Sequence, residues 1–220
     1  LPKSLDRIIA SNCQIDSFDS DIFIDATPSD LFLTHVDLSG NNLDSFPCFP
    51  SIQILNLSHN KLKKLPPITE DLRILDVSMN LLESNQDSIP EYISGPSISD
   101  INFSYNKLTK IPEFKKVPVL QTLEFSGNPI QGNIDISRFP FLKRLDISET
   151  EISIINENQV LKEIISSHLN TNDKKTIYIN QQKQENRNKN NNKNKNDRKS
   201  SYSETIGLRN NMEDSIIVRD

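Results

Sequence analysis

The stretch "GLRNNMED" combines residue types suited to phosphate and hard cations: Arg209, then the adjacent carboxylates Glu213 and Asp214. A guanidinium fork matches phosphate oxygens bidentately, and carboxylate oxygens suit Mg²⁺ or Mn²⁺. A second, more dispersed set is the acidic series Asp37, Asp76, Glu124 and Asp146. Carboxylates lined up along one ribbon would favour a basic partner, although a solvated face that keeps the chain soluble has the same composition. His35 and His59 have no Cys or carboxylate constellation at ligand spacing, so no metal site is read there. Cys13 and Cys48 are too few for a disulfide framework or a zinc site and read as reduced thiols, Cys13 as a small buried residue.

The acidic series is set out by an internal repeat. "LTHVDLSGNNLDSF", starting at Leu33, aligns with "IQILNLSHNKLKKL", starting at Ile52, on the pattern L-x-x-L-x-L-x-x-N-x-L-x-x-L. Frames start at residues 5, 33, 52, 72, 98, 120 and 142. The L-x-L core predicts a short strand with alternate side chains inward. A single coil cannot bury that row, so successive coils must stack and form a parallel sheet along one face. Asn41, Asn60, Asn80, Asn106 and Asn128 hold the ninth position. A buried amide there can satisfy turn carbonyls and N–H groups of adjacent coils. Cys13 and Thr150 replace Asn in the first and last frames, as atypical terminal repeats would.

Between Leu1 and Asn170 this pattern resembles the leucine-rich repeat family. The resemblance implies an α/β solenoid, a horseshoe with its parallel sheet on the concave face. That face is expected to carry Asp37, Asn56, Asp76, Asn102, Glu124 and Asp146 from the fifth position, with Met79 and Tyr105 from the eighth. A protein partner, basic in character, is the implied ligand. The seventh-position serines read as local turn and strand hydrogen bonding.

Repeats are expected over 1–156. In 157–180, Val160, Leu161, Ile164, Ile165 and Leu169 recur at helical spacing and predict a cap helix over the open core, followed by a short strand in "KKTIYIN". Residues 181–200 hold seven Lys or Arg against two acids and no apolar residue, which predicts a disordered linker. Its lack of aromatics and of amphipathic period argues against nucleic-acid or membrane-surface binding. No apolar run approaches about 18 residues, so no membrane-spanning helix is expected.

Residues 201–220 reintroduce apolar character around Gly207, Arg209, Met212, Glu213 and Asp214. The segment resembles the opening motif of the protein phosphatase 2C family, G-x-R-x-x-M-E-D, and its position after repeats and a linker is similar to that of leucine-rich-repeat phosphatases. The resemblance implies that Arg209 binds the substrate phosphate and that Glu213 and Asp214 help hold a two-metal Mn or Mg centre, partly through waters. It further implies a phosphoprotein substrate, a cytoplasmic location, and further metal ligands beyond Asp220, so that residues 1–220 alone are expected to be inactive. The alternatives are a non-catalytic repeat scaffold and the repeat region of an adenylate cyclase carrying a phosphatase 2C-like domain.

Overall fold

The computed structural model describes residues 5–17 and 32–155 and the backbone of Thr176–Tyr178. The chain separates into two compact units, Leu1–Gln182 and Lys183–Asp220, and the second lies outside the described residues. So do the expected cap helix, the linker and Arg209, Glu213 and Asp214.

Each of the seven frames forms a three-residue strand in the same phase. These are β1 (Arg7–Ile9), β2 (His35–Asp37), β3 (Ile54–Asn56), β4 (Ile74–Asp76), β5 (Asp100–Asn102), β6 (Thr122–Glu124) and β8 (Arg144–Asp146). Between the last two lies β7 (Gln131–Asp135); β9 (Glu151–Ile155) and β10 (Thr176–Tyr178) follow. The main sheet runs β1-β2-β3-β4-β5-β6-β8-β10, parallel until β10 joins antiparallel to β8. Every parallel pairing sets like motif positions side by side, for example Leu55 on Leu75 and Asp76 on Asn102. This fixed register follows from the period of two, because a one-residue slip would turn every core Leu outward.

The middle residue of β2 to β6 and β8 is buried and its two neighbours are half-buried. Four apolar rows meet beneath the sheet, represented in one coil by Leu72, Leu75, Val77 and Leu82, each at most 1% exposed. Burying one such side chain contributes about 1.5–3 kcal/mol, which a coil standing alone would forfeit. In later coils the sixth motif position carries Phe103 and Phe125, stacked at 5.7 Å, and Phe114 meets Phe125 and Phe139 edge-on.

The architecture is a parallel-sheet β-solenoid rather than the expected α/β class. Among the described residues the one helical element is a 3₁₀ turn, Ile136–Arg138. The connections are short and interrupted by Pro47, Pro50, Pro66, Pro67, Pro112 and Pro118. Each proline removes a backbone donor and clashes with a preceding helical turn, so these segments run extended. A second small parallel sheet forms within them, where β7 pairs β9. Cys13 and Cys48 are both free thiols, as read from sequence, but Cys13 is exposed rather than buried. No described coil stacks on its outer side, and its Sγ reaches only the Ser11 carbonyl at 3.3 Å.

Candidate functional site

Two layers of polar groups border the strands, one turned inward and one outward. The inward layer is the ninth-position asparagine series. Asn60 Oδ1 accepts the N–H of Leu43 in the preceding coil at 2.9 Å, while its Nδ2 donates to Leu38 O of that coil and to Leu57 O of its own. Asn80, Asn106 and Asn128 repeat the pattern through Leu62, Leu82 and Leu108. Asn41 does the same for the first coil, taking the N–H groups of Cys13 and Ile15. Thr150, in the last frame, bonds within its own coil, its hydroxyl donating to Ile147 O and accepting from Ile152 N–H. These asparagines are 1–7% exposed, and an amide that bridges backbone groups of two coils is not available to a ligand.

The outward layer is the open face of the sheet. Motif positions three and five point the same way because successive strand residues alternate. The fifth position does local work as well as facing solvent. Asp37 Oδ1 accepts from Ser39 N at 3.0 Å and Ser39 Oγ at 2.7 Å, and Asn56 does the same for Ser58. Asp76, Asn102 and Asp146 likewise accept from the backbone of Ser78, Ser104 and Ser148. These are Asx turns that carry the chain out of each strand. The next residue then adopts a left-handed conformation: Asn12, His59, Met79, Tyr105 and Glu149 have φ of 53–56°, and Gly40 and Gly127 fall in the same column. Met79 is exposed, and the Tyr105 ring lies across Gly127 in the following coil.

Glu124 is too long for the Asx turn and instead pairs with Arg144 across the strands. Arg144 also approaches Asp146 at 3.7 Å. Burial pushes the Glu124 carboxyl above the usual carboxylate range; Arg144 opposes this, and repulsion from Asp146, Asp76 and Asp100 adds to it. Burial likewise raises Asp76, against the hydrogen bonds from Ser78, the nearby His59 and a bond with Asn102. The hydroxyl of buried Ser104 has no partner among the described residues, unlike those of Ser39 and Ser58.

The third motif position was missed in the sequence reading, although a period of two makes it face outward wherever the fifth does. It supplies His35, Ile54, Ile74, Asp100, Thr122 and Arg144. Half-exposed Ile54 and Ile74 sit side by side on β3 and β4, next to Asp76 and Asp100. The face therefore grades from apolar to acidic and ends at Arg144. His35 Nδ1 lies 2.8 Å from Thr34 Oγ1. Among the described residues no group of three or more His, Cys, Asp or Glu is placed to hold a metal ion.

Residues 32–52 and 51–70 match the family model described as Leucine Rich Repeat. Residues 32–70 carry leucine-rich repeats. The matched span covers the coils of β2 and β3, and the same strand phase and asparagine bonding continue through the coils of β4, β5 and β6. Comparison with curated proteins finds no match to the chain. Leucine-rich repeats typically bind proteins, and no helix among the described residues is long and apolar enough to cross a membrane.

Proposed function

We propose that the open sheet face between β3 and β8 binds a protein that presents a basic side chain next to an apolar one. The observation that carries this is Arg144: a guanidinium already rests between Glu124 and Asp146, while Asp100 and Asp76, two and three coils before it, have no cationic side chain within ion-pair distance among the described residues. Ile54 and Ile74 offer an apolar seat beside these acids, and Asn56 and Asn102 offer amides. Burial holds the Asp76 carboxyl above its usual range even against its own hydrogen bonds, so an incoming cation would favour its charged form. Asp37 and Asn56 are tied into Asx turns and contribute through their remaining lone pairs, and Met79 extends the apolar rim. A photo-crosslinking residue at position 54, 74 or 100 should capture a partner, whereas the same residue at exposed Lys64 or Glu91 on the connections should not. Equal capture from both sets would overturn the assignment.

We further propose a phosphatase role for the full-length protein, which rests on the "GLRNNMED" stretch alone. On this reading Arg209 holds a substrate phosphate and Glu213 and Asp214 are carboxylate donors toward Mn²⁺ or Mg²⁺ in a cytoplasmic protein. Bound metal would supply an activated water for phosphoester hydrolysis, and the repeats would choose the substrate. Mn²⁺-dependent phosphate release from a phosphopeptide by the full-length protein, largely lost in Asp214→Ala, is the expected result. No release, or release indifferent to Asp214→Ala, would leave the interaction module as the whole function.

A further inference from the structure

We propose that a groove on the connecting segments, where Lys115, Lys116 and Arg138 border an apolar floor, docks an acidic peptide anchored by an apolar side chain. The groove is an open depression of about 580 Å³ between residues 114–118 and 138–140. It is built by two coils in strict register. Lys116 and Arg138 stand four residues before Leu120 and Leu142, and Pro118 and Pro140 stand two before. Val119 and Phe141, next in line, are 37% and 58% exposed, so an apolar rim borders the groove. Val117 and Phe139 are buried and form its floor.

The cations are held in place and incompletely neutralised. Arg138 Nη2 donates to the Phe114 carbonyl at 3.0 Å, which fixes the guanidinium plane. Lys115 Nζ sits 4.3 Å from the centre of the Tyr92 ring. Its acidic neighbour Glu113 is 3.9 Å away, with both side chains about half exposed, an arrangement of small worth. Asp135, the other acid nearby, turns its carboxylate onto Ser137, accepting from Oγ at 2.6 Å and N at 3.0 Å. Lys116 has no ion pair among the described residues and holds φ at +52°. A non-glycine residue in that region costs about 1 kcal/mol or more, so the backbone presents Lys116 at a cost to stability.

The sign of the groove is opposite to that of the chain, whose net charge is -5, and opposite to that of the open sheet face. Charge complementarity therefore selects an anionic ligand. The apolar floor and proline walls suit a single side chain, and three cations are too few for the longer track that a nucleic-acid backbone needs. Carboxylates on either side of one Phe or Leu would reach Lys116 and Arg138 while the apolar side chain enters between Pro118 and Pro140. This surface is separate from the sheet face, so the two docking readings stand or fall independently.

The experiment is fluorescence anisotropy on the whole chain with a labelled peptide of Asp and Glu flanking one Phe. Replacing that Phe by Ser, or raising the ionic strength, should each weaken binding, by roughly tenfold for the Phe. Lys116→Gly removes the charge and relieves the backbone, so binding should fall about tenfold while the thermal midpoint holds or rises. Lys64→Gln, on another coil, should leave binding unchanged. The proposal is overturned if Lys116→Gly binds as tightly as the parent chain. It is also overturned if a charge-reversed peptide binds equally, or if a single-stranded oligonucleotide binds more tightly and displaces the acidic peptide.

Discussion

Replacing Asn80 by Ala tests the inter-coil bonding most directly, because its consequences can be counted atom by atom. Asn80 Nδ2 donates to Leu57 O, Val77 O and Ser78 O at 2.9, 3.1 and 3.0 Å. Each carbonyl keeps another donor when the amide is removed: Asn60 Nδ2, Asn106 Nδ2 and His59 N respectively. The N–H of Leu62, which Asn80 Oδ1 accepts at 2.9 Å, is the group left behind in a buried place. An orphaned buried N–H costs about 1–3 kcal/mol, and the void left by the amide adds about 1 kcal/mol. The expected loss is thus about 2–4 kcal/mol against a typical total of about 5–15 kcal/mol. Urea unfolding followed by circular dichroism should show a lowered midpoint with an unchanged slope. Asn80→Asp sharpens the test, since it keeps the acceptor for Leu62 but sets a buried charge against three carbonyls. It should be worse than Ala at neutral pH and recover in acid, where the protonated carboxyl regains a donor. A cost below about 0.5 kcal/mol for Ala, the scale of an ordinary surface change, would mean that the Asn80 amide does not hold the coils together.

Asp76→Asn should stabilise the fold at neutral pH and keep its turn, because Asn56 and Asn102 make the same Asx contact. Burial raises the Asp76 carboxyl in the folded state, so the native chain holds a proton that the unfolded chain releases, and stability falls as pH rises through that window. The advantage of the Asn variant should therefore disappear at pH values below the ordinary carboxylate range, as thermal melts across pH will show. Phe125→Ala removes a fully buried ring that meets Phe103 and Phe114, and should cost about 3–5 kcal/mol in the same urea assay. Gly127→Ala combines φ of +65° with a methyl set 2.3 Å from Tyr105 Cδ1; a loss of about 1–2 kcal/mol and a changed Tyr105 environment by NMR are expected.

The phase of the solenoid was legible because three independent signals coincide in the five coils of β2 to β6: the L-x-L alternation, the following Ser and the ninth-position Asn. No single frame needs to be strong when neighbours must share its register. The open face was half legible. Ile54 and Ile74 look like core residues by type, and their outward direction follows only from the strand period. The double duty of Asp37 and Asp76 depended on a bond two residues along the chain, which composition does not announce. The pairing of β7 with β9 was invisible, since Gly132 and Asn133 are poor strand formers and are held by the coil that follows. The basic groove joins residues 22 positions apart through the stacking of two connections, so it has no linear motif.

Each asparagine in the series reaches backward, completing the turn of the coil made before it. The N–H that it accepts lies 17 to 24 residues earlier in the chain, so no coil can complete its own turn without the next. Every turn in the series is thus closed from the coil that follows it, and the last one needs a different closure. Thr150, bonded within its own coil, and the reversed strand β10 supply it. A break between two coils would leave one turn open and every earlier one closed.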